Sequence, residues 1–183
     1  MRRAALTTLS TVAAEPVVWL WHPYIPLGKL TLLEGDPAAG KTWIALALAA
    51  AVTRGTGLPG GQRDPPATVL YMTAEDGLAD TLRPRLDQVG ADNERVVALT
   101  GIETQTAQVT LSDLDVLADA LERTQARFVV VDPLQGYLGS ATDMYRANEV
   151  RPIMAGLAPR AEVHQCAVLC IRHLAKASMA RAL

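Results

Sequence analysis

The chain has 183 residues, with 17 Lys and Arg against 19 Asp and Glu, and half of its residues are apolar. That length suffices for a single α/β core and leaves no room for a second full domain. A net charge of −2 and a pI near 5.9 lack the basic footprint of a nucleic-acid binder, so any DNA contact is expected to be local or shared among subunits.

Met1, Arg2 and Arg3 followed by residues 4–10 imitate a signal peptide, but Thr7, Thr8 and Ser10 interrupt its apolar stretch. No run reaches the roughly 18 apolar residues of a membrane span, and the expectation is a cytoplasmic protein without membrane contact. Residues 1–29 read as an N-terminal segment packing on the core, and residues 30–183 as the core domain. Within the first segment Trp19, Trp21 and Tyr24 fit two roles equally, a surface that stacks a nucleobase and ordinary core.

Residues 30–34 read as a short buried strand, and residues 43–52 as an Ala/Leu helix stopped by Gly55. Between them stands Gly35-Asp36-Pro37-Ala38-Ala39-Gly40-Lys41-Thr42, which spells G-x-x-x-x-G-K-[ST] in the strand-loop-helix setting that this motif requires. Glycines let successive backbone N–H groups converge on phosphate oxygens, and the following helix aims its positive end at the same place. Lys41 then reaches the β- and γ-phosphates, and the Thr42 hydroxyl completes the coordination of Mg²⁺. The expected nucleotide-contacting set is therefore Gly35 to Thr42, position by position, together with Trp43.

After a loop over residues 55–66, whose Gly and Pro content forbids regular structure, residues 68–73 form a second strand. Glu75 and Asp76 follow it directly. A carboxylate at this strand end is placed to activate the water that attacks the γ-phosphate, while acidic residues in a solvated helix start are also common. Glu75 is the better candidate because it is nearer the strand end and has the longer reach. A helix is expected over residues 78–89, with Pro84 either kinking it or marking its first turn. Residues 95–99 read as a third strand, and Ser112-Asp113-Leu114-Asp115 as the capped start of a helix.

Residues 127–132 hold four consecutive apolar residues, Phe128 to Val131, and end in Asp132, a strand buried on both faces whose carboxylate lies at the ligand edge of the sheet. Asp132 is expected to hold Mg²⁺ through water, opposite Thr42. A helix over residues 148–161 and a strand holding Cys166 and Cys170 complete the pattern. The two thiols share a strand face too far apart to bond and read as buried side chains. His173 follows this strand at the same edge, where it either touches a γ-phosphate or simply caps the strand. His22 and His164 have no comparable placement, and no cluster has metal-ligand spacing. Strands alternating with helices predict an α/β fold with a mostly parallel central sheet covered by helices.

Residues 18–37, the pair Glu75-Asp76, Val130-Val131-Asp132-Pro133, and Arg172-His173-Leu174 followed by Lys176 resemble the RecA-like AAA-family ATPases of the RepA helicase type. The resemblance spans nearly the whole chain. It implies a three-layer RecA-like P-loop core, ATP and Mg²⁺ as ligands, and a homo-oligomer, often a hexamer, moving on single-stranded DNA. It further implies Lys41 and Thr42 as the Walker A residues, Glu75 as catalytic carboxylate, Asp132 as the Walker B carboxylate and His173 as γ-phosphate sensor. Asn148, Glu149 and Arg151 resemble a polar segment of the same proteins.

Two departures stand out. Relatives usually carry Gly where Ala38 stands, so Ala38 is expected to fit with a negative φ, and Pro159 is expected to shorten its helix. The relatives also continue past the His-Leu-x-Lys segment into DNA-facing loops and an arginine finger; Lys176 and Arg181 are candidates to serve a neighbour's site in its place, with nothing in the sequence to support that role. Three functions follow from this reading: the ATPase core of a helicase or replication protein, a nucleotide-binding switch with little hydrolysis, and a small-molecule kinase. The third is disfavoured because no Arg-rich lid lies between Asp132 and Ile171 beyond Arg146, Arg151 and Arg160. Glu75, and a strand between the two Walker strands, also suit water activation better than transfer to a hydroxyl.

Overall fold

The computed structural model describes residues 3–61, 63–103, 108–139, 142 and 146–174. Lys176 and Arg181 lie outside the described residues. In chain order the regular elements are β1 (Trp19–Trp21), β2 (Ile25–Pro26), β3 (Leu30–Gly35), α1 (Lys41–Arg54), β4 (Val69–Thr73), α2 (Arg83–Gln88), β5 (Val96–Ala98), α3 (Leu114–Thr124), β6 (Phe128–Asp132), α4 (Ala147–Val163) and β7 (Ala167–His173). β1 and β2 form an antiparallel hairpin, and the other five strands form one sheet in the order β3-β7-β6-β4-β5. Every neighbouring pair in that sheet is parallel.

Alternation along the buried strands creates two cores, as a period of two requires. Val69, Tyr71, Phe128, Val130, Leu169 and Ile171 face α1, α2 and the turn before α2, where Ala45, Leu46, Ala49, Leu86 and Leu82 share their core. Leu70, Met72, Val129, Val131, Val168, Cys166 and Cys170 face Leu117 and Leu121 of α3 and Leu157 and Ala161 of α4. The result is the three-layer α/β RecA-like core, with helices on both faces of a parallel sheet. Both cysteines are free thiols buried on one sheet face, and burial pushes Cys166 up to about 11 and Cys170 up to about 12.

Four local expectations are revised. Residues 78–89 are not one α-helix: a π-helical turn over Leu78–Leu82 precedes α2, and Pro84 lies in the first turn of α2, where a missing N–H costs little. Arg95 closes a 3₁₀ turn, so β5 is shorter than residues 95–99. Ser112 does not cap α3. Asp113 holds the N-cap position, yet its carboxylate turns back to accept from the Thr110 N–H at 2.7 Å and the Thr110 hydroxyl at 2.9 Å. α4 runs through both Pro152 and Pro159. Those prolines and the residues four before them, Asn148 and Ala155, are exposed, which leaves each freed carbonyl to water.

Within residues 1–29, Leu20, Ile25 and Leu27 are buried in the α1-side core, whereas residues 3–18 are exposed. Among the described residues no helix is long and apolar enough to cross a membrane.

Candidate functional site

A parallel sheet delivers the ends of all its strands to one edge. Gly35 pairs in register with His173, and Thr73 with Asp132, so the candidate residues arrive together where open α/β sheets bind ligands. The loop between β3 and α1 turns through an Ala39 N–H to Asp36 carbonyl bond of 3.2 Å and enters the helix at Gly40, in the left-handed region at φ +83°. Ala38 is left-handed too, at φ +63°, which overturns the expectation of a negative φ. The turn geometry dictates the conformation, and alanine carries it at a steric cost. Lys41 is buried, and its ammonium donates to the carbonyls of Gly35 at 2.8 Å and Asp36 at 2.6 Å.

The Thr42 hydroxyl donates to Asp132 Oδ2 at 2.8 Å, joining the first turn of α1 to the end of β6. The Tyr71 phenol donates to the same oxygen at 3.3 Å. Burial raises the Asp132 pKa, opposed by these two hydrogen bonds and by the charge of His173. Burial, and then the negative charge of Asp132, push Tyr71 far above the ordinary phenol range, so it remains a donor. A hydroxyl and a carboxylate brought into contact form an all-oxygen donor pair, which fits a hard cation such as Mg²⁺ that keeps most of its water shell.

Glu75 and Asp76 have separate environments. Glu75 is exposed in the bend after β4 and has no hydrogen-bond or ion-pair partner among the described residues. Asp76 is tied down: its N–H donates to Thr73 Oγ1 at 3.1 Å, and its carboxylate accepts from Arg85 Nη1 at 2.7 Å. The Arg85 guanidinium also lies 5.8 Å from the centre of the Trp43 ring, a cation–π contact. Trp43, 42% exposed, therefore stands beside the loop under an arginine held from the Glu75 bend.

His173 sits across from Gly35, and the Leu174 N–H after it donates to the Gly35 carbonyl at 3.2 Å. Its own carbonyl accepts from Gln135 Nε2 at 3.2 Å, while its ring Nδ1 is buried without a partner among the described residues.

The early aromatics lie elsewhere. Trp21 Nε1 donates to the Pro59 carbonyl at 3.0 Å, beyond the C-terminal end of α1, and the hairpin is followed by Gly28 bonding Cys166 at the N-terminal edge of the sheet. α1 has 14 residues and so separates that end from the loop by about 21 Å. A nucleobase held at the loop is out of reach of Trp19, Trp21 and Tyr24 of the same chain, which corrects the stacking alternative. Asn148, Glu149 and Arg151 form the first turns of α4, where Glu149 accepts from Arg146 at 3.3 Å.

Tyr71, Arg85 and Gln135 escaped the sequence reading. Tyr71 left one legible signal, a hydroxyl in an otherwise apolar buried strand that has to find a partner. Arg85 and Gln135 left none, because their contacts depend on how a helix and a turn are rotated onto the strand ends.

A parallel sheet that gathers a buried loop lysine and a hydroxyl–carboxylate pair at one edge defines a RecA-like P-loop ATPase core that binds nucleotide. Residues 2–179 match the AAA domain family, and the chain belongs to that family. It is similar to the DNA repair protein RadA of Mycobacterium tuberculosis, 28% identical over 152 residues, and to that of Bacillus subtilis, 26% identical over 151 residues. Each match covers 81% of this chain but 28% of the relative, so the chain corresponds to little more than a quarter of those proteins.

Proposed function

We propose that the chain is the Mg²⁺-dependent ATP-hydrolysing core of a protein that acts on DNA, of the RepA-like helicase or replication type that its motifs resemble. The observation that carries this reading is the 2.8 Å bond between Thr42 and Asp132, the hydroxyl and the carboxylate that would hold a phosphate-bound Mg²⁺. Mg²⁺ would neutralise charge on the β- and γ-phosphates. The loop Gly35, Asp36, Pro37, Ala38, Ala39 and Gly40 cradles the phosphates, through backbone N–H groups at every position but Pro37, which has none and shapes the turn, and Trp43 borders the nucleotide. Lys41 exchanges its carbonyl partners for phosphate oxygens. Glu75, exposed and without a partner among the described residues, is free to orient and deprotonate the attacking water, and His173 contacts the γ-phosphate.

In this reading residues 30–183 are the ATPase core and residues 1–29 a lead segment anchored through Leu20, Ile25 and Leu27. Single-stranded DNA and further copies of the chain, six by resemblance, are the proposed partners, and the similarity to DNA repair proteins supports DNA as the partner class. The test is ATP turnover with and without single-stranded DNA, alongside the mass in solution. Glu75→Gln is expected to keep ATP binding and to cut turnover by about 10² or more. Negligible turnover that Glu75→Gln does not change would favour the nucleotide switch instead.

A further inference from the structure

The short 3₁₀ turn Leu134–Tyr137, directly after Asp132 and Pro133, touches two of the candidate residues' supports at once. On one side Gln135 Nε2 donates to the His173 carbonyl at 3.2 Å. On the other, Gly136 packs so closely on Ala74, the residue before Glu75, that a Cβ at position 136 would overlap the Ala74 methyl. Ala74 is itself bonded to the strand through its N–H and the Asp132 carbonyl at 3.3 Å. The turn is seated firmly, with Leu134 and Tyr137 buried and the Leu111 N–H bonded to the Tyr137 carbonyl at 2.8 Å.

Two atoms here have unused hydrogen-bonding capacity. Gln135 Oε1 and His173 Nδ1 are both buried and both without a partner among the described residues. Buried polar atoms left in this state cost free energy and call for an explanation. An imidazole that contacts a phosphate oxygen must offer it an N–H, and the ring is oriented by the partner of its second nitrogen. The Gln135 amide already bonds the His173 backbone carbonyl, and its other atom, Oε1, is an unused acceptor of the kind that a protonated Nδ1 would need.

We propose that Gln135 is the positioning residue of His173, and that the turn Leu134–Tyr137 links the His173 strand end to the bend carrying Glu75. With a γ-phosphate on Nε2, Gln135 holds His173 by its carbonyl and by Nδ1. Movement of the histidine then passes through the turn to Gly136 and Ala74, and so to Glu75. The inference rests on the reading that His173 contacts the γ-phosphate.

The experiment is a double-mutant cycle on the ratio of ATP to ADP affinity in Mg²⁺, measured with fluorescent nucleotides on the full chain, with melting temperatures recorded alongside. His173→Ala is expected to lower the ratio by about tenfold. Gln135→Ala is expected to lower it by about fivefold with ADP affinity kept, and the double variant is expected to match His173→Ala alone. A ratio untouched by His173→Ala removes the sensor reading and the proposal with it. A His173 effect with no Gln135 effect, or with effects that simply add, overturns the proposal and leaves the sensor reading standing. Gly136→Ala reports on the other half of the link: it is expected to slow turnover at least tenfold with ATP affinity retained, and unchanged turnover in a folded variant contradicts it. If Gly136→Ala fails to fold, the Gln135 cycle decides alone.

Discussion

Replacing Ala38 by glycine is expected to stabilise the protein, against the usual direction for removing a methyl group. At φ +63° the alanine Cβ crowds its own backbone, which costs an L-residue about 1–2 kcal/mol. Glycine gives back about 0.5–1 kcal/mol through its freer unfolded chain. The methyl is exposed, so little packing is lost with it. The net gain is about 0.5–1 kcal/mol, and in a domain of this size about 1 kcal/mol moves the midpoint by about 2–4 °C. A thermal melt followed by circular dichroism without nucleotide should therefore rise by about 2 °C. Gly40→Ala is the control of opposite sign. It has open space for a Cβ but a φ of +83°, so it should lower the midpoint through backbone strain alone. An unchanged or lower midpoint for Ala38→Gly would refute a left-handed Ala38, and with it the geometry assigned to the phosphate loop.

Tyr71→Phe keeps the buried ring and removes one donor from the Asp132 carboxylate; it should cost about 1 kcal/mol of stability. It should also weaken the strengthening of ATP binding by Mg²⁺, seen by titrating nucleotide with and without the ion, and an unaltered Mg²⁺ effect would remove Tyr71 from the site. Gly55→Ala should destabilise by more than about 2 kcal/mol, because Gly55 ends α1 at φ +62° and a Cβ there would overlap the Asp64 carbonyl and Pro66. Denaturant unfolding measures this, and a loss under about 0.5 kcal/mol would contradict the close approach.

The sheet was legible because its strands are short apolar runs separated by glycine, proline and helical periodicity, and the phosphate loop because its spacing is rigid. Asp132 was legible for the same reason, as a lone carboxylate ending four buried residues. The capping pattern at Ser112 misled, since Asp113 finds two donors on Thr110 that no local rule anticipates. Pro159 misled because a proline on an exposed helix face strands its carbonyl in water, where the loss is tolerable. The division of labour between Glu75 and Asp76 was hidden as well: only the arrival of Arg85 across the sheet edge separates a tethered carboxylate from a free one. Tertiary placement also removed Trp19, Trp21 and Tyr24 from consideration, as nothing local tells which end of the sheet a hairpin occupies.

The central claim, that the loop from Gly35 to Thr42 binds the phosphates of ATP through Lys41, is tested most directly by equilibrium binding of Mg-ATP to the chain and to Lys41→Ala. The account predicts saturable binding by the unaltered chain and a loss of about 10² or more in affinity for the variant, since a buried phosphate partner is removed with no other lysine or arginine among the described residues bonded within the loop. Equal affinity in a folded Lys41→Ala variant would contradict it.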